Sequence, residues 1–152
     1  MVWLVLGKNY CFFVVVVVVL VAAGSAGATA SFMSLAWSSS LSLLVASANT
    51  GSNTQYIQTS PDGITWTRVT GPTASSASPL FRKIIWNDTL GQFVACGNGQ
   101  FAVSTDGANW NLYNTATTTT TFRSIAYSPT LGRYVASSTI ETTQGATSTD
   151  GI

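Results

Sequence analysis

One seven-residue pattern sits at three points of this chain: Ser60-Pro-Asp-Gly-Ile-Thr-Trp66, Ser104-Thr-Asp-Gly-Ala-Asn-Trp110 and Ser148-Thr-Asp-Gly-Ile152. Its serines stand at 60, 104 and 148, a constant spacing of 44 residues. A fixed period of roughly 20–50 residues marks repeated supersecondary units, and it restricts the architecture more than composition does. A second block precedes each copy, and no gap is needed within it. It runs from Phe32 through Trp37, Leu41 and Leu44 to Val45-Ala46, then from Phe81 through Trp86, Leu90 and Phe93 to Val94-Ala95, and then from Phe122 through Tyr127, Leu131 and Tyr134 to Val135-Ala136. Two blocks in fixed order, three times over, are far more specific than either alone.

Within a copy the pattern is that of strands. Phe81, Lys83 and Ile85 alternate with Arg82, Ile84 and Trp86, the period of two that a strand requires. Asn87–Gly91 supplies turn chemistry, and Gln92–Cys96 reads as a second strand. Gly97-Asn-Gly99 predicts a tight turn into Gln100–Ser104, and Asp106-Gly107 a third turn into a fourth strand over Ala108–Tyr113. Four short antiparallel strands in about 40–50 residues make one propeller blade. The predicted fold class is therefore all-β, with complete blades at about 32–71 and 81–114 and a partial third at 122–152. A closed ring takes roughly 4–8 blades. Residues 31–152 thus read as part of a larger propeller, a fragment of a longer chain, or an array completed by another copy or by the Val-rich N-terminal segment. Blades left open expose apolar faces and strand edges, which predicts self-association or aggregation.

The repeated heptad has a structural reading in each part. Asp62, Asp106 and Asp150 can accept hydrogen bonds from backbone N–H groups of their own turns. Gly63, Gly107 and Gly151 can take positive φ without steric cost. Ser60, Ser104 and Ser148 add a weaker local bond, while Trp66 and Trp110 open the outer strand and cover the turn. On these residues the chain resembles the Asp-box repeats of bacterial neuraminidase-type propellers. It is closer still to the Ser-x-Asp-Gly-x-x-Trp propeller repeats of secreted bacterial and phage proteins. The true Asp box has one more residue between Asp and Gly. The resemblance spans about residues 32–152. It implies that the motifs lie on the blade periphery, away from any active site, and that the three aspartates are structural.

The chain ahead of the repeats is different. Lys8 precedes Cys11–Ala23, thirteen apolar residues in a row, and small residues follow, ending in Ala28-Thr29-Ala30. That order describes a secretory signal peptide over 1–30, with cleavage before Ser31. An uncleaved anchor over 10–30, the only route to a membrane, and a buried Val-rich strand are the alternatives. The predicted location is secreted or at a cell surface, or on a virion. Cys96 falls where the other copies carry Ser47 and Ser137, and it reads as a small inward side chain.

Charge and chemistry narrow the function. Only 7% of residues are charged, against roughly 25% in an ordinary soluble domain. Beyond residue 30, five basic residues balance five acidic ones, so there is no basic stripe for nucleic acid. The chain has no His, hence no His base, triad or metal ligand, and no cofactor or catalytic residue is expected. A glycosidase needs two carboxyls in one cleft. With three aspartates committed to turns, only Asp88 and Glu141 are left. Arg82 and Arg123 recur at one repeat position, which Met33 fills in the first copy, and form the candidate ligand surface. Other candidate surfaces are the least repeated stretches, Ser47–Thr54, Gly71–Pro79, Thr115–Thr121 and Ile140–Gly145. The Thr117–Thr121 run reads as a solvated loop. Asn87-Asp88-Thr89 is an N-glycosylation sequon on a predicted turn. Three functions stand open: a binding or adhesion module for a glycan or protein ligand, a purely structural assembly module, and a fragment of a sialidase-like hydrolase.

Overall fold

A computed structural model describes residues 31–49, 55–69, 81–115, 120–139 and 145–152. The leader over 1–30 lies outside them. The described chain is all-β and contains no helix, so no helix there is long and apolar enough to cross a membrane. Eleven strands form three antiparallel sheets. Sheet 1 holds β1 (Ser31–Ser38), β2 (Leu43–Asn49), β3 (Gln55–Ser60) and β4 (Thr67–Val69) in sequence order. Sheet 2 repeats this with β5 (Phe81–Asn87), β6 (Gln92–Gly97), β7 (Gln100–Ser104) and β8 (Asn111–Asn114). Sheet 3 has β9 (Phe122–Ser128), β10 (Arg133–Ser138) and β11 (Ala146–Ser148).

The sheets stack. β1 lies against β5 and β5 against β9, with β2 on β5 and β6 on β9. Side-chain alternation gives each sheet a backward face and a forward face. Ala36, Val45, Ile57 and Val69 on the forward face of sheet 1 meet Ile84, Phe93, Ala95 and Ala102 on the backward face of sheet 2. Val94, Cys96 and Val103 on the forward face of sheet 2 meet Ile125, Tyr134 and Ala136 of sheet 3. Each core thus lies between sheets. Cys96 is fully buried and unpaired, and burial pushes its thiol up to about 12, so it stays protonated.

Three expectations are corrected. The simple alternation across the first strand fails, because every sheet carries a bulge at the same place. Phe32 pairs with Ala48 but Ser34 with Ser47; Phe81 pairs with Gly97 but Lys83 with Cys96; Phe122 pairs with Ser138 but Ser124 with Ser137. The skipped residues are Met33, Arg82 and Arg123. An extra residue shifts the parity of the strand, so Phe81 and Ile84 are buried in one core. The fourth strand begins at Asn111 rather than Ala108, because Asp106 binds the N–H groups of Ala108 and Asn109 and holds them in the turn. Nor are Thr120 and Thr121 a solvated loop. Thr120 is buried, its carbonyl accepts from Gly99 N at 2.6 Å, and Thr121 bridges Asn98.

Candidate functional site

The three heptads build the same clasp. In the second copy Ser104 Oγ accepts from Gly107 N at 2.8 Å and from Asp106 N at 3.3 Å, and donates to Asp106 Oδ1 at 3.0 Å. Asp106 Oδ1 then accepts from Ala108 N and Asn109 N at 2.8 and 2.7 Å. The first copy repeats these bonds among Ser60, Asp62, Gly63, Ile64 and Thr65. In the third, Ser148 Oγ takes the N–H groups of Asp150 and Gly151, and Ile152 N reaches both Ser148 Oγ and Asp150 Oδ1. Gly63, Gly107 and Gly151 have φ of 74°, 75° and 92°, the left-handed region where a side chain is strained. Serine is therefore the hub of the clasp, not an accessory. Trp110 closes it by donating its indole N–H to Gly107 O at 2.9 Å, whereas Trp66 packs on Phe32 at 5.2 Å and its Nε1 has no protein partner.

This arrangement commits the carboxylates. Backbone N–H donors at Thr65 and Ile64 hold Asp62 down to about 2. Asn109, first through its backbone and then its side chain, holds Asp106 down to about 2. Ser148 lowers Asp150. Groups kept ionised and already accepting hydrogen bonds are poor general acids or bases near neutral pH. Asp88 is also engaged, accepting from Trp86 Nε1 at 2.7 Å. Glu141 lies outside the described residues. Among the described residues no cluster of His, Cys, Asp and Glu is fit to hold a metal ion.

Arg82 and Arg123 occupy bulges on adjacent strands β5 and β9, Arg82 half-buried and Arg123 exposed. A bulge re-aims its side chain, and the row Met33, Arg82, Arg123 follows from this shared irregularity. Sequence alternation alone gave no sign of it. Of the least repeated stretches, residues 50–54, 71–79, 116–119 and 140–144 lie outside the described residues. The sequon is closed. Asn87 is 3% exposed, its Nδ2 donates to Tyr134 OH at 2.6 Å, and its Oδ1 caps the turn at Thr89 N and Leu90 N.

Tyr134 belongs to a polar cluster that sequence reading missed. Its hydroxyl also accepts from Gln92 Nε2 at 3.2 Å, and Gln92 Nε2 donates to Asp150 O at 2.6 Å. Burial raises the Tyr134 pKa, so its hydroxyl remains neutral. Beside this cluster, a groove of about 520 Å³ opens between sheets 2 and 3. Phe101 and Tyr113 form one wall, and Tyr134, Ala136, Ala146 and Gly151 the other. A scan of protein-family models finds none that matches the chain, and a search of curated proteins finds no relative.

Proposed function

We propose that this chain is a propeller-type blade module whose work is assembly and binding, not catalysis. The observation that carries this is the match between two faces left exposed among the described residues and the two internal interfaces. On the forward face of sheet 3, Ala126, Val135 and Ser137 are exposed. At the same repeat positions of sheet 1, Ala36, Val45 and Ser47 are buried under sheet 2. At the other end, Leu35 on the backward face of sheet 1 is 40% exposed where its counterparts Ile84 and Ile125 are 1% and 4% exposed, and Trp37 is 49% exposed where its counterparts Trp86 and Tyr127 are half-buried.

Each open face is thus one half of an interface that the molecule already makes twice. Arg133 adds a polar element. It stands, exposed, where Gln92 stands in sheet 2, and Gln92 reaches the backbone carbonyl of the next clasp. A guanidinium there is placed to reach the Asp62 carbonyl of an incoming sheet 1. Such head-to-tail contact is heterologous, closing into a ring or running open according to its rotation. A secreted or surface-borne unit of this kind suits adhesion to a glycan or protein. Light scattering over a concentration series tests the assembly half: concentration-dependent association is expected, and Trp37→Lys suppresses it. A monomer at every concentration contradicts the proposal.

A further inference from the structure

The charges of the molecule are sorted between its two rims. Each sheet turns back at one rim through its first hairpin and its clasp, and Asp62, Asp88, Asp106 and Asp150 stand there with Arg133. At the far rim β5 and β9 begin, and Arg82, Lys83 and Arg123 lie within their first three residues. Arg68 lies on β4, between the rims. Among the described residues no carboxylate stands at the far rim. The connections whose sequence is not repeated, β2 to β3, β4 to β5, β8 to β9 and β10 to β11, join strand ends at this same rim. One rim therefore repeats from sheet to sheet, and the other varies, as recognition surfaces on a rigid scaffold do.

Arg82 and Arg123 hold their places by one device. Each is the extra residue of a bulge, and β5 lies against β9, so the two guanidinium groups belong to neighbouring strands. The turn after β6 joins them at the rim, where Asn98 bridges Thr121, two residues ahead of Arg123. Arg82 Nε and Asn98 Oδ1 are shielded from solvent and have no protein partner.

We propose that the far rim binds an acidic polysaccharide, with Arg82 and Arg123 on its sulfate or carboxylate groups and Asn98 on its hydroxyls. This rests on the reading of the chain as a binding module. A guanidinium presents a planar fork of N–H donors that matches such anions. Asn98 Oδ1 requires a donor, which a phosphodiester backbone lacks and a sugar hydroxyl supplies. The clasp rim, with four carboxylates against one guanidinium, repels the same polymer, so the molecule meets it in one orientation.

The probes are fluorescently labelled dextran sulfate and polygalacturonate, titrated against the full chain by anisotropy, with neutral dextran and single-stranded DNA as references. Saturable binding of at least one acidic polysaccharide is expected, and which of them binds tells sulfate from carboxylate. Neutral dextran does not bind, and DNA binds more weakly. Binding falls about tenfold between about 50 and 200 mM salt, as for a few charges neutralised. Arg82→Glu and Arg123→Glu each weaken it about fivefold or more. Arg123 is exposed, so its reversal spares the core. Thr89→Lys adds a charge at an exposed position on the clasp rim and leaves binding unchanged. Tighter binding by Thr89→Lys would mean that net charge alone is read, and would overturn the proposal; so would DNA binding as tight as that of the polysaccharides. Polysaccharide binding that both arginine reversals leave intact overturns the proposal but keeps the binding-module reading. Absence of binding by both acidic polymers overturns the proposal and leaves the assembly reading to light scattering.

Discussion

The two internal interfaces share a geometry and differ in chemistry. Where sheet 2 meets sheet 1, the clasp glycine Gly107 packs on Leu43, Val45 and Phe93. Where sheet 3 meets sheet 2, Gly151 packs on Gln92, Val94 and Tyr134. Leu43 has become Gln92, and Phe93 has become Tyr134. Around its clasp glycine the first junction is apolar, its hydrogen bonds being those between Ser34 Oγ and the Ile84 backbone, while the second carries side-chain hydrogen bonds from Asn87 and Gln92 to Tyr134 and from Gln92 to the Asp150 carbonyl. The repeat therefore sets how sheets stack, while the residues that vary set what each junction demands. Apolar packing tolerates neighbours of the right shape; a buried polar network accepts only partners that satisfy it.

The largest expected effect breaks the apolar junction. Phe93 is fully buried and its ring contacts Trp86 and Trp110, at 4.6 and 6.3 Å. Phe93→Ala is expected to cost about 3–5 kcal/mol, read from the urea midpoint. The polar junction breaks differently. Tyr134→Phe keeps the ring but leaves the Asn87 and Gln92 amides without their shared acceptor, at a cost of about 1–3 kcal/mol. A Tyr134→Phe chain as stable as the parent would mean that the hydroxyl network contributes nothing to the junction.

Two smaller tests address features common to the sheets. Asp62 and Asp106 titrate at about 2, below the ordinary value of 3.8. Their folded pKa is lowered, so their stabilisation is complete above the ordinary value and disappears as pH falls from there through about 2. Asp106→Asn is expected to flatten that acid limb in a pH series of thermal melts. The smallest effect concerns Ser42, at φ 49°, where the equivalent turns use Gly91 and Gly132 at 62° and 56°. Ser42→Gly relieves a left-handed residue and is expected to raise stability by about 1 kcal/mol or less.

Much of the fold was legible because hairpins write themselves locally. Turn residues such as Asn98-Gly99 and Asp106-Gly107 are adjacent in sequence, and so are the apolar strands between them. Their recurrence at fixed offsets also exposes the three-sheet organisation. The bulges at Met33, Arg82 and Arg123 were not legible, because a bulge is a mismatch between two strands and leaves no mark on either alone. The serine hub was underrated for a related reason: Ser Oγ both donates and accepts, and only the folded turn shows that it uses both roles. The Gln92–Tyr134 cluster lay hidden in the positions where copies differ. The substitution of Leu43 by Gln92, beside that of Phe93 by Tyr134, was its only sequence signal.

The central claim is that the end faces are unfilled halves of the internal interface. It is tested by mixing two variants. Trp37→Lys spoils the backward face of sheet 1 and leaves sheet 3 intact; Val135→Lys does the reverse. Each alone is expected to be monomeric by light scattering, and an equimolar mixture to form a one-to-one dimer through the remaining good faces. A mixture that stays monomeric, or single variants that associate as the parent does, would contradict it.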